Sequence, residues 1–120
     1  MWYEQAAPGG SVDAQNNLGN MYREGKGVVQ DFSRAFFWFE AAARQGKAIP
    51  QLNLATVYAN GEGVSRDLIK GLVWATVASL NGHPDGETLA DEIWSEMSIF
   101  QRIRTRGLPE RCMESDYEDC

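Results

Sequence analysis

Tryptophan returns in this chain at one interval: Trp2, Trp38 and Trp74 are each 36 residues apart. A fixed period between roughly 20 and 50 residues belongs to stacked repeats, in which a unit buries its apolar face only against its neighbours. Such a chain builds an elongated array rather than a sphere around one core. Arrays of this kind present surfaces more often than they carry chemistry.

The period runs through the whole text of the units. When residues 10–45 are laid on 46–81 without a gap, the identical pairs are Gly10/Gly46, Gln15/Gln51, Asn17/Asn53, Leu18/Leu54, Tyr22/Tyr58, Gly25/Gly61, Gly27/Gly63, Val28/Val64, Asp31/Asp67, Trp38/Trp74 and Ala42/Ala78. Glycines repeat together with apolar residues, so turns and core share one register. Leu18, Met21 and Tyr22 recur at helical spacing, as do Leu54, Val57 and Tyr58, and each set predicts a first helix. Gly25-Lys26-Gly27-Val28 and Gly61-Glu62-Gly63-Val64 break those helices. Asp31 and Asp67 stand as N-caps of a second helix running from about Phe32 to Arg44, with Ala35, Trp38, Phe39 and Ala42 buried. Gly19 and Ala55 are small enough to let a neighbouring helix approach. Within Phe36-Phe37-Trp38-Phe39, Phe37 points away from the face of Trp38. The glycine pairs are not phosphate cradles: GxxxxGK[ST] is absent and no strand leads into a GxGxxG. The prediction is an all-α fold, an α/α solenoid of antiparallel helix pairs.

The pattern A-Q-x-N-L-G-x-M-Y-x-x-G-x-G-V-x-x-D-x-x-x-A-x-x-W-x-x-x-A-A-x-x-G resembles the Sel1-like repeat, a relative of the tetratricopeptide repeat. Residues 14–46 carry nearly all of it; residues 50–82 carry it with Pro50, Ala55 and Gly71 as departures. The resemblance implies a right-handed superhelix whose first helices line a concave surface, and an adaptor or scaffold role. On that reading residues 1–9, where Trp2-Tyr3-Glu4-Gln5-Ala6-Ala7 matches Trp38 to Ala43, are the second helix of a truncated preceding repeat, with a natural N-terminal cap as the alternative. Residues 10–45 and 46–81 are full repeats, and 82–120 are capping helices with a tail. A first helix is expected over 85–97, with Leu89, Ile93, Trp94 and Met97 as its apolar stripe.

Charge separates the two halves. Residues 1–83 hold seven acids and seven bases, whereas residues 84–120 hold ten acids and four arginines, so the whole net charge of −6 lies in the terminal segment. A solvated polar cap is the expected reason, with an acidic recognition surface as the alternative. Nucleic acid is excluded as a partner, because its backbone demands a basic surface. No stretch approaches the roughly 20 apolar residues of a membrane span.

Cys112 and Cys120 lie outside the repeats, and with His83 alone they cannot build a four-ligand zinc site. No cofactor or metal is expected. The closing run from Met97 to Cys120 is similar to the tails of bacterial Sel1-repeat proteins, and that similarity implies a Cys112–Cys120 disulfide. Pairing would favour a periplasmic or secreted location; two free thiols in a cytoplasmic protein are the alternative. The opening Met-Trp-Tyr-Glu has no signal-peptide character, so any export signal is expected upstream.

The favoured function is a non-catalytic scaffold that binds a protein or peptide on its concave face. The outward positions there are Asp13, Asn16, Asn20 and Arg23 in the first unit, Ile49, Leu52, Thr56 and Ala59 in the second, and Thr88, Glu92 and Ser95 in the last. The alternative is a structural module that caps or assembles a longer solenoid, motivated by Phe37, Val73, Val77 and Leu80 on the outer face unless the tail covers them. It allows a monomer or weak self-association. A cysteine-rich branch of the family is linked to β-lactam binding and hydrolysis, but the chain lacks that branch's repeat cysteines, Ser-x-x-Lys, and a nucleophile with a base.

Overall fold

Local chemistry sets where each helix of the computed structural model starts and stops. The structure describes residues 11–120; the expectation for residues 1–9, including Trp2, falls outside the described residues. The helices are α1 (Val12–Glu24), α2 (Phe32–Ala43), α3 (Ala48–Asn60), α4 (Leu68–Leu80), α5 (Gly86–Glu96), α6 (Ile99–Arg104) and α7 (Leu108–Glu114). Ser11 Oγ caps α1 by accepting from Ala14 N at 3.3 Å. Asp31 and Asp67 cap α2 and α4, accepting from Arg34 N at 3.1 Å and Lys70 N at 3.0 Å. Such caps satisfy the orphan amides of a first turn. Gly25 and Gly61 end α1 and α3 in the left-handed conformation, with φ of 71° and 70°. The register is the same in both units: Asp31 N donates to Tyr22 O and Asp67 N to Tyr58 O, each at 2.9 Å.

Each first helix packs on its own second helix, and each second helix packs on the first helix of the next unit. Gly19 shows why a small residue stands there: a Cβ on it would lie 2.7 Å from the Phe39 ring. Gly63 is tighter still, because a Cβ there would lie 2.4 Å from Phe32 O of the preceding unit. Polar groups repeat as well. Within each unit Gln45 donates to Gln15, and its counterpart Asn81 donates to Gln51 Oε1 at 2.9 Å. Gln51, fully buried, spends its own amide on Ala43 O at 3.1 Å. Phe36 meets Tyr58 edge-on at 5.5 Å, and the Lys70 ammonium lies 5.6 Å from the same ring. Burial, with Glu40 acting in the same direction, pushes the Tyr58 phenol up to about 12 from its ordinary 10.0.

Two expectations, for Trp38 and Trp94, are corrected here, and an open one is decided. Trp38, expected at the centre of the core, is half-buried and stacks edge-on with exposed Phe37 at 5.0 Å; Phe39 takes the core position of α2. Its counterpart Trp74 is 1 % exposed, because the C-terminal segment folds back over α4. Tyr117 stacks on Trp74 at 6.4 Å, accepts from Asn81 at its hydroxyl, and accepts from Arg44 Nη1 at its carbonyl. The same packing buries Val73 and Val77, so of the outer-face set only Phe37 and Leu80 remain exposed. Finally, Trp94 is not part of a buried stripe: Ile93 and Met97 are buried, and Trp94 is 43 % exposed.

The tail departs from regular helix where Gly107 and Pro109 stand. Gly107, at φ 73°, opens α7, and Pro109 sits in the first turn of that helix, where its missing N–H costs nothing. Cys112 and Cys120 are joined as a disulfide with Cα atoms 4.6 Å apart. The loop between them passes through left-handed Asp116 and Tyr117, with φ of 56° and 66°.

Candidate functional site

The first helices α1, α3 and α5 carry the residues expected on the concave face. Side chains bridge neighbouring helices: Asn53 Nδ2 donates to Asn16 Oδ1 at 2.9 Å. Arg23 reaches into the next unit's turn: its Nη2 donates to Glu62 Oε2 at 3.2 Å, and its Nε lies 2.8 Å from Glu62 Oε1 as an ion pair, an oxygen that accepts no hydrogen bond among the described residues. Asn60 Nδ2 also donates to Glu62 Oε2 at 3.2 Å. A charge-assisted bond of this kind fixes the guanidinium in place. Arg23 is therefore committed to holding two units together, not free for a ligand as its position on the face suggested.

The other residues of the face divide into two clefts and a remainder. Asp13 and Asn16 come together with Ile49 around a cleft of about 260 Å³, completed by Lys47, Ala48 and Pro50. Its floor is apolar, Ile49 being 60 % exposed, and an acid and a base stand among its walls. Farther along, Ala59 and Glu92 share a cleft of about 410 Å³ with Asn60, Leu89, Ile93, Ser95 and Glu96. Ala59 contributes little of that surface, since it is 9 % exposed. Asn20, Leu52 and Thr56 are half-buried, with the Thr56 hydroxyl spent on Leu52 O at 3.1 Å. Thr88 is exposed and lines neither cleft.

Sequence reasoning missed Lys47, Pro50 and Asn60. They occupy helix ends, where contact with the next helix depends on how one unit is rotated against another. A separate cleft of about 510 Å³ lies on α2 between Ser33, Arg34, Phe37 and Trp38. Of these, only Phe37 was marked by its position in the helix. Among the described residues, no group of three or more His, Cys, Asp and Glu side chains is placed to hold a metal ion, and no helix is long and apolar enough to cross a membrane.

The Sel1 repeat model matches residues 12–47 and 51–83, more than half of the chain. Among solved structures the chain is similar to a protective antigen of uropathogenic Escherichia coli strains that displays an SLR fold. The two share 30 % identity with a TM-score of 0.89, over 97 % of this chain and 26 % of that one. It therefore spans about a quarter of that antigen's length. It is also similar to a Sel1 repeat protein from Oxalobacter formigenes, at 34 % identity and a TM-score of 0.73, over 76 % of this chain and 68 % of that one. No curated protein matches the chain.

Proposed function

This chain belongs to the Sel1 repeat family, and we propose that it is a binding scaffold that takes an extended segment of a partner protein along α1 and α3. Sel1 repeats are generally protein-interaction modules, typically without catalysis. The observation that carries the finer reading is the cleft at Asp13, Asn16, Lys47, Ile49 and Pro50. Ile49 and Pro50 offer an apolar seat for one side chain. The amide of Asn16 carries both a donor and acceptors for a peptide backbone. Asp13 and Lys47 set direction, because a bound segment must match both signs.

The test is a peptide-display selection on the purified chain. Peptides recovered should compete with one another, and Ile49→Asp should weaken them by at least about tenfold, the effect of losing an interface anchor. Phe37→Glu on α2 should leave them unchanged. Peptides indifferent to both Ile49→Asp and Asn20→Glu would place binding elsewhere and sink the reading.

We also propose an extracytoplasmic location. The Cys112–Cys120 disulfide supports it, since such bonds persist in oxidising compartments, and the likeness to a protective antigen adds to it. Thiol counting on unreduced, denatured protein from native cells decides the matter; two free thiols would overturn it.

A further inference from the structure

The end of the described stack is not the polar cap that repeat proteins ordinarily wear. Trp94, Ile99, Phe100 and Ile103 all face solvent, Phe100 at 77 %. Trp94, Ile99 and Ile103 wall a cleft of about 320 Å³ together with Arg102, Thr105 and Arg106. A contiguous apolar surface of this kind marks an interaction site. What it accepts is decided by the charges around it.

Those charges are segregated. Between residues 97 and 109 the chain carries Arg102, Arg104 and Arg106 and no acid. Residues 85–96 hold five acids and no base, and residues 110–119 hold five acids and one arginine. Along α5, Glu87, Asp91 and Trp94 follow at spacings of four and three, which places them on one helix face. The Arg102 guanidinium lies 5.0 Å from the Trp94 ring centroid and donates to Trp94 O at 3.1 and 2.9 Å. The surface therefore combines Glu87 and Asp91 on the Trp94 face of α5 with Arg102 and Arg106 at the apolar cleft. Among the described residues, Glu87, Asp91, Arg104 and Arg106 form no ion pair, although all four are exposed.

We infer that this surface is a two-fold interface for a second copy of the chain. A half-turn about an axis through the apolar patch sets Glu87 and Asp91 of each copy against the arginines of the other, and apolar patch against apolar patch. A symmetric dimer demands this self-complementarity. An acidic peptide or an anionic membrane would be drawn to the arginines and repelled by the acidic flanks. A cationic partner meets the converse problem.

Sedimentation equilibrium of the purified chain, from micromolar to near-millimolar and at low and high salt, tests the proposal. The expected result is a monomer–dimer equilibrium that weakens as salt rises. Asp91→Arg and Arg106→Glu should each weaken the dimer by about three- to tenfold, each pair occurring twice across the axis. The double variant should recover most of that loss. Ile103→Asp should abolish the dimer without changing the thermal melt. The proposal is overturned by a monomer at every concentration, or by a dimer insensitive to both charge reversals. Loss of the dimer through Phe37→Glu instead, or flotation of a monomeric chain with anionic vesicles, overturns it as well.

Discussion

Trp38 and Trp74 occupy the same position in two copies of one repeat, yet one is half-buried and the other fully enclosed. Their own helices do not explain it, since α2 and α4 are capped alike, by Asp31 and Asp67. The difference comes from what lies outside the unit. Tyr117 and α7 cover α4, whereas Trp38 borders an open cleft with Ser33, Arg34 and Phe37. In a stack, a residue's energetic weight follows from its neighbours more than from its identity.

The most direct way to break this comparison is to truncate both rings. Trp74→Ala should cost about 3–5 kcal/mol, the range for a buried aromatic, and Trp38→Ala about 1 kcal/mol, nearer the effect of a surface change. Urea denaturation of the two variants measures both. Equal losses would show that the tail's cover is energetically irrelevant.

The glycines of the two turns sharpen the same point under tighter control. Gly27 and Gly63 share nearly one backbone conformation, with φ of 76° and 77°. Alanine at either position meets the left-handed cost of about 1–2 kcal/mol. Among the described residues the added methyl would strike a neighbouring unit's backbone at Gly63, whereas at Gly27 it would meet Met21 Cε at 3.5 Å. Gly63→Ala should therefore be the worse of the two by about 1–3 kcal/mol, an overpacking cost. Equal melting temperatures for the two variants would contradict the close approach.

Tyr58 reports on the interface between the units through pH. Its folded phenol titrates at about 12 against 10.0 for the free group. The raised value means that the neutral form stabilises the fold fully below pH 10, and that this contribution is lost as pH climbs from 10 to 12. Linkage puts the total at no more than about 3 kcal/mol, reduced by solvent screening around the hydroxyl. Alkaline unfolding of Tyr58→Phe should lose this particular slope, and retention of the wild-type profile would assign it to another group.

The smallest effect compares the inter-unit ion pairs. Arg23–Glu62 has side chains 29 % and 18 % exposed, and Arg66–Glu96 has 54 % and 57 %. Double-mutant cycles should give about 1 kcal/mol for the first and about 0–0.5 kcal/mol for the second, since solvent screens exposed pairs. A reversed order would mean that the deeper burial of Arg23–Glu62 adds nothing.

Much of the repeat is legible in its residues. Asp31 and Asp67 cap where their position says, because an N-cap bond is local to four residues. Leu18, Tyr22, Leu54 and Tyr58 are buried where helical spacing places them. The candidate site is legible only in part. Asp13, Asn16 and Ile49 line one cleft, but Arg23 is taken by Glu62 and Ala59 is nearly buried. Helical spacing tells which side of a helix a residue is on. It does not tell how close the next helix stands.

The 36-residue period thus determined the helix pairs, their turns and their stacking order, because each of these rests on contacts that recur with the sequence. Tertiary structure alone decided which tryptophan is core, which face remains open, and that Trp94 looks outward beside Arg102. Those outcomes depend on where the non-repeating segment from Met97 to Cys120 folds back. A segment outside the period packs by long-range contacts that no spacing within a repeat encodes.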